Sequence, residues 1–211
     1  PYTTLFRSAK FLLSDKVTLK AGYNSMIQYI HMLSNTTTMS PTDIWKLSDD
    51  KIKPQTGWQA AMALYAMMFN DKVEFSLEGY YKKMDNYLDY KSGSVLIMNS
   101  NLADDVVETR GQAYGAEVMF KKPLGKLNGW VSYTYSRTLL QDKQDPNSIF
   151  SVNRGEWYPA AYDKPHDVKF VGNYKFTHRY SISMNIDYST GRPTTIPVGK
   201  YIYGGGYRLY Y

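Results

Sequence analysis

The chain has 211 residues, a formal net charge of +6 and no cysteine, which excludes disulfides, thiolate metal sites and cysteine nucleophiles. Its mean hydropathy is −0.47, and it has no apolar run of about 18 residues or more, so a membrane protein built from transmembrane helices is excluded. Lysine and arginine are scattered along the chain instead of forming a basic stripe. Nucleic acid is therefore not an expected partner.

Eight segments with alternating apolar and polar residues predict eight β-strands, followed by the start of a ninth. A strand with this pattern has one apolar and one polar face, whereas a helix would spread the same apolar residues around its circumference. The third segment includes residues 60–64, which also suit a helix, but its place between a loop and an Asn-Asp turn favours a strand. The predicted strands are residues 9–13, 17–31, 57–69, 73–90, 106–122, 129–140, 166–177 and 180–190.

The predicted strands are joined alternately by tight turns and by long polar loops. The turns centre on Asp15, Asp71, Gly125 and His178 and recur about every 54 residues. The long loops are residues 33–55, 92–105, 141–165 and 191–206. Short connections at one side of a sheet and long ones at the other are typical of an outer-membrane β-barrel.

Three further features favour a membrane barrel over a soluble sandwich. Most of the predicted strands have about ten residues or more, enough to cross the hydrocarbon layer at a tilt of about 40°. Glu74, Glu78 and Glu117 lie in mid-strand on polar faces, where the lumen of a barrel holds water or a plug. The chain also has 21 Tyr and 4 Trp, which concentrate at membrane interfaces. A soluble antiparallel β-protein stays open as an alternative, because its strands alternate too.

Residue types that carry catalysis or bind metals occur without a matching arrangement. His31, His166 and His178 do not have the spacing of zinc ligands, and the paired carboxylates at residues 49–50 and 104–105 do not have the spacing of an EF-hand. The sequence has neither a G-x-S-x-G nucleophile motif nor a phosphate-binding loop. We therefore expect no enzyme, no metal site and no cofactor.

Five segments resemble the C-terminal barrel region of TonB-dependent outer-membrane receptors of the Bacteroidetes type. They are residues 23–45, 52–60, 109–138, 162–176 and 188–197, and they include TRGQAYGAEVMFKKPLGKLNGWVSYTYSRT and YDKPHDVKFVGNYKF. The similarity covers nearly the whole chain after residue 8 and is a family-level pattern of segments in the expected order. It implies an all-β fold, an antiparallel transmembrane β-barrel of 22 strands, of which eight to nine lie in this chain.

The resemblance also implies a function. Receptors of this family lie in the outer membrane of Gram-negative bacteria and import a scarce ligand, such as a siderophore or a glycan, with energy that arrives through TonB. Their barrel surrounds an N-terminal plug domain, which we do not expect in this chain, and a separate peptide contacts TonB. The implied partners are outer-membrane lipid, the plug, the TonB complex and a small ligand of unknown identity.

The same resemblance assigns roles to side chains of the loops and strands. Aromatic residues of the outward loops are the expected ligand contacts, namely Trp45, Trp157, Tyr158 and Tyr162. Glu74, Glu78 and Glu117 are expected to face the lumen, in contact with water or the plug.

Two other functions stay open. A passive porin or adhesin barrel would have no coupling to TonB, and a soluble β-rich carbohydrate-binding protein would stay in solution without detergent.

Residues 1–8, PYTTLFRS, match the translation of a common sequencing adapter, so we expect the partial barrel domain to comprise residues 9–211. The Gly-rich residues 204–206 leave the last strand unfinished, and we expect both ends to be cut.

Overall fold

The computed structural model describes residues 2–33, 44–50, 52–90, 106–143, 151–194, 199–203 and 206–210. The strands in these ranges are β1 (Tyr2–Ser14), β2 (Val17–Gln28), β3 (Ile30–Leu33), β4 (Ile44–Leu47), β5 (Gln55–Met68), β6 (Val73–Tyr90), β7 (Val106–Lys122), β8 (Leu127–Asp142), β9 (Tyr158–Pro159), β10 (His166–Lys175), β11 (Ser181–Ser189), β12 (Gly199–Tyr203) and β13 (Gly206–Tyr210). A 3-10 helix covers Val152–Gly155. No helix in the described ranges is long and apolar enough to cross a membrane.

One antiparallel sheet holds most of these strands. Its order is β1-β2-β5-β6-β7-β8-β10-β11, and β9 pairs with β8 beyond the point where β10 begins. β3 pairs with β4 and β12 with β13 in two separate hairpins. The sheet is not closed, and β1 and β11 form its two edges. The predicted all-β class and the antiparallel sheet of eight to nine strands are confirmed.

The strand positions agree with the alternating pattern in most places. β6 has the predicted bounds and so does β7, and the ambiguous third segment is β5, a strand as favoured. The predicted second strand, residues 17–31, is divided in two: β2 ends at Gln28, and residues 30–31 belong to β3, which pairs with β4 inside the region predicted as a loop from residue 33 to 55. β1 begins at Tyr2 and pairs with β2. The residues that we expect to derive from an adapter therefore lie in a strand, and their origin stays a prediction.

The short connections all lie at one end of the main sheet, the turn end, and the long ones at the opposite end, the loop end. In the turn between β5 and β6, Phe69, Asn70 and Asp71 have φ values of 52°, 58° and 64°. Asn and Asp tolerate this left-handed region better than most residues, and the chain reverses there within a few residues. Lys16 Nζ lies 2.9 Å from Asp71 Oδ1 and joins two neighbouring turns.

The two faces of the main sheet differ in character. Because paired residues of antiparallel strands share a face, rows of side chains can be followed across the strands. One row of the apolar face contains Leu19, Leu64, Leu77, Val118, Tyr133, Val168 and Tyr188. The neighbouring row of the polar face contains Lys20, Ala63, Glu78, Glu117, Thr134, Asp167 and Ser189.

The apolar face is the exposed one. On this face Leu77 is 41% exposed, Ile186 47% and Met62 58%. The buried hydrophobic side chains lie instead on the polar face near the loop end or in the long connections: Ile52, Met84, Val107, Ala113, Leu140 and Ala160. A soluble sandwich has the opposite arrangement, with its apolar face in the core. Exposed apolar surface of this extent is unfavourable in water, so this face requires a cover.

Candidate functional site at the loop end of the sheet

The aromatic residues predicted to contact a ligand divide between two elements. Trp157, Tyr158 and Tyr162 lie close together in the segment of residues 151–165, which connects β8 to β10. Trp45 lies in β4, in the separate β3–β4 hairpin, and is 60% exposed. Trp157 is 41% and Tyr162 44% exposed, so each offers accessible aromatic surface, whereas Tyr158 is half-buried.

Segment 151–165 continues the sheet along the free part of β8. Tyr158 pairs with Leu140 through β9, and the Ala160 N–H donates to the Thr138 carbonyl at 2.9 Å. Further along, the Ser136 N–H donates to the Pro165 carbonyl at 3.0 Å. The segment therefore covers the edge of β8 that β10 leaves free.

Asp163 fills the gap in this edge pairing with its side chain. Its buried carboxylate accepts the Thr138 N–H at Oδ1, 2.6 Å away, and its Oδ2 lies 3.0 Å from Arg137 Nε. The Nε–H is not aligned with the carboxylate, so we treat the contact with Arg137 as an ion pair and not as a directed hydrogen bond. The carboxylate replaces a backbone carbonyl that the ladder lacks here.

The beginning of the segment is held by β8 as well. Asp142 Oδ2 accepts the Val152 N–H at 2.9 Å, and Gln141 Nε2 donates to the Gly155 carbonyl at 3.0 Å. Asn153 and Arg154 have φ values of 50° and 53°. This left-handed pair lets the chain turn back toward β8, so both ends of the segment are bound to the same strand.

A cluster of tyrosine and aspartate side chains links the segment to β6. Tyr158 Oη donates to Asp89 Oδ2 at 2.5 Å, and the side chains of Tyr87 and Tyr162 are hydrogen bonded. The fully buried Thr109 donates its hydroxyl to the Tyr87 carbonyl at 2.9 Å. Burial, together with the Asp89 carboxylate, raises the pKa of Tyr158, because both disfavour a phenolate. Tyr158 is thus engaged by the protein itself.

The sequence did not indicate the residues that hold this cluster. Asp89, Asp163, Arg137 and Tyr87 are not among the site residues that the sequence predicts. The alternation along β6 places Tyr87 in a long strand next to a loop. However, β6 has a bulge near Asn86, where φ is 56°, and this bulge decides on which face of the sheet Tyr87 lies. A bulge of this kind is not readable from the alternation alone.

The three glutamates expected to face the lumen lie together on the polar face. Glu74 forms an ion pair with Lys121 at 3.0 Å. Glu78 is directly opposite Glu117 in the β6–β7 ladder. Tyr65 donates its hydroxyl to Glu78 at 2.7 Å, and Thr134 donates its hydroxyl to Glu117 at 3.1 Å. Their hydrogen bonds come from neighbouring side chains of the same face, so the face is polar and internally connected.

An open depression of about 360 Å³ lies on the polar face next to these glutamates. Its lining includes Glu117, Lys121, Trp130, Asp167 and Lys169. The lining thus combines carboxylates and ammonium groups with the indole of Trp130, and Lys169 Nζ lies 3.5 Å from Asp167 Oδ1. The arrangement suits water and polar solutes.

Two of the three histidines, His31 and His166, have hydrogen-bonding partners in the described parts of the chain. His31 Nε2 lies 3.1 Å from Ser48 Oγ, and burial lowers the pKa of His31. His166 Nδ1 lies 2.9 Å from the Tyr133 hydroxyl. Within the described ranges, no group of three or more His, Cys, Asp or Glu side chains is arranged to hold a metal ion.

Comparisons of the chain with family models, with curated proteins and with solved structures found no match.

Proposed function

We propose that this chain is part of the wall of a transmembrane β-barrel in a Gram-negative outer membrane, within a TonB-dependent receptor that imports a scarce ligand. The observation that carries this proposal is that the apolar face of the sheet is exposed while the buried hydrophobic side chains lie on the polar face or in the long connections. In a bilayer, acyl chains cover the apolar face and the polar face borders the lumen.

The dimensions of the apolar face support a membrane-spanning wall. From Val73 to Tyr81 the apolar face of β6 extends about 26 Å along the strand, or about 20 Å along the membrane normal at a tilt of about 40°. Exposed Phe69, Leu124 and Tyr180 in the short turns lengthen this surface at the turn end. The total approaches the apolar band of about 25 Å that outer-membrane barrels present to lipid.

Aromatic side chains border the apolar face at both ends, as interfacial residues do. At the turn end, the rings of Phe75 and Phe120 have centroids 5.0 Å apart. Toward the loop end, Trp58 has its centroid 6.1 Å from Tyr23 and 5.6 Å from Tyr81. Aromatic rings favour the interface because one part is apolar and another can be hydrated.

Coupling to TonB and import of a ligand are the finer part of the proposal and are supported by the family resemblance and by the long loops. Segment 151–165 offers Trp157 and Tyr162 from a base that β6 and β8 hold in place. Rigid aromatic surface of this kind binds the flat or apolar parts of a small ligand at low entropic cost. Glu74, Glu78 and Glu117 would border a lumen that contains water or the plug.

Cysteine labelling of the full-length gene product in vesicles tests the membrane wall. The chain has no native cysteine, so within it Tyr133→Cys on the apolar face and its neighbour Thr134→Cys on the polar face form a matched pair; any cysteine elsewhere in the full-length product is replaced in both. We expect a fluorophore at residue 133 to be quenched by lipid-borne quenchers, and residue 134 to react with a water-soluble thiol reagent.

The opposite results contradict the proposal. A product that stays in solution without detergent, with residue 133 shielded from both probes, favours the soluble carbohydrate-binding protein instead. A lipid-exposed residue 133 in a gene that encodes no plug upstream favours the passive porin or adhesin barrel.

A further inference from the structure

We propose that Lys83 and Arg110 form a binding site for the phosphate group of an anionic membrane lipid, on the apolar face near the loop end. This inference depends on the proposed membrane wall and identifies the lipid that contacts it. The two cations lie at the border of the apolar face, where the surface changes from acyl-chain contact to headgroup contact.

The ladder places the two residues as diagonal neighbours on the same face. Lys83 pairs with Gln112, and Arg110 lies two residues farther along β7 on the same face. Such diagonal neighbours have their β-carbons roughly 7 Å apart. Lys and Arg side chains are long enough to converge on one phosphate from that separation, and the guanidinium matches phosphate oxygens in a forked geometry.

The position of the pair relative to the aromatic residues fits a headgroup. Tyr81 precedes Lys83 by two residues on the same face, and Trp58 pairs with Lys83 across β5 and β6. Lys83 therefore lies about 7 Å nearer to the loop end than Tyr81. Aromatic rings occupy the membrane interface, and Lys and Arg extend from it toward the charged headgroups.

The neighbouring carboxylates are occupied by other cations. Asp85 lies 3.9 Å from Lys143 Nζ, and Glu108 lies 3.8 Å from Lys53 Nζ. In the described parts of the chain, Lys83 and Arg110 have no ion pair, and both are exposed. Two exposed cations without a protein carboxylate attract an external anion, and an anionic lipid gains about a fivefold affinity for each Lys or Arg near its headgroup.

A lipid phosphate fits this position better than a phosphate free in solution. The row below the pair on the same face contains Tyr81 and Tyr114, and farther down lie Leu77 and Val118. This continuous apolar surface accommodates acyl chains directly under the headgroup. A free phosphate would use the two cations alone and gain nothing from that surface.

Lipid binding by the full-length gene product in detergent micelles tests the site. The probe is fluorescent lipid A with both phosphates, and its dephosphorylated form serves as the neutral counterpart. We expect Lys83→Gln and Arg110→Gln each to weaken binding about fivefold and the double variant about 25-fold. Lys82→Gln is the matched control, because Lys82 immediately precedes Lys83 in β6 and lies on the polar face; lipid A binding of this variant should be unchanged.

Three results would overturn the site. They are an equal loss with Lys82→Gln, equal binding of the dephosphorylated lipid, or full competition by inorganic phosphate at the lipid concentration used. The labelling of Tyr133→Cys tests the membrane wall independently of the phosphate site. If residue 133 contacts lipid while the cation variants bind lipid A normally, the membrane wall is supported and the phosphate site is contradicted.

Discussion

The hydroxyl of Tyr158 donates a 2.5 Å hydrogen bond to Asp89, a residue 69 positions earlier in the chain. Tyr158 lies in β9 at one edge of β8, whereas Asp89 lies in β6, so β8 and β7 both separate β9 from β6. The two side chains therefore meet across β8 and β7 on the polar face. This bond ties a long connection at the loop end to β6, inside the sheet, and explains how segment 151–165 keeps a defined position.

Replacing Tyr158 by Phe should release the segment without changing the strands. The hydrogen bond to a carboxylate contributes about 1 to 3 kcal/mol, and its loss leaves part of the Asp89 carboxylate buried without that donor. Hydrogen exchange of the Ala160 amide, which is bonded to the Thr138 carbonyl, should become roughly tenfold faster or more. Tyr180→Phe, in a short turn, is the control and should leave this amide unchanged; unchanged exchange in Tyr158→Phe would contradict the anchoring role.

Replacing Asp163 by Ala should free the same segment at its second anchor. The variant loses the bond from the Thr138 N–H and the ion pair with Arg137. Because Arg137 is about one third exposed, solvent screens part of the charge, and we expect a loss of about 2 to 3 kcal/mol. The rate of limited proteolysis between residues 143 and 166 measures how far the segment is released.

Asp163→Asn and Asp167→Ala are the matched controls for that experiment. Asp163→Asn keeps an oxygen for the Thr138 N–H and should lose less than the alanine variant. Asp167 is paired with Lys169 at 3.5 Å on a half-exposed surface, so Asp167→Ala should change stability by at most about 0.5 kcal/mol. Equal proteolysis in all three variants would show that the Asp163 contacts do not hold the segment.

Acid should loosen the β3–β4 hairpin through His31. Burial lowers the pKa of His31 below its usual 6.5, so the unfolded hairpin binds a proton at a higher pH than the folded one. The stability contribution of the neutral imidazole is complete above pH 6.5 and decreases as the pH falls below it. Proteolysis of the hairpin should therefore increase between pH 7 and pH 5, and His31→Gln should remove this dependence. A pH-independent wild type would contradict the prediction.

A charge on the apolar face should impair insertion into the membrane. Leu77→Lys places an ammonium group in the middle of the apolar stretch of β6 from Val73 to Tyr81, where we expect a cost of about 2 to 4 kcal/mol in a bilayer. Ala63→Lys is the matched control, since Ala63 lies on the polar face between Lys20 and Glu78. The yield of heat-modifiable protein in the membrane fraction should fall for the first variant and stay normal for the second. Equal yields would argue against a lipid-covered apolar face.

Local sequence determined the elements of this protein. The bounds of β6 and β7 followed from alternation with a period of two, and the turns at Asp71 and Gly125 followed from residue types that accept left-handed φ values. Both signals act over a few neighbouring residues, so they are readable without knowledge of the partner strands. The shared face of Glu74, Glu78 and Glu117 followed in the same way.

Tertiary structure alone decided which side chains meet at the loop end. Three contacts depend on register and on the path of long connections: Asp163 fills a gap in the edge of β8, Tyr158 reaches Asp89, and β3 pairs with β4, a strand inside a predicted loop. Such contacts join residues far apart in the chain, and the position of one bulge at Asn86 changes the face of every residue after it. Alternation specifies that a strand has two faces, but the neighbouring strands and the surrounding solvent decide what each face touches.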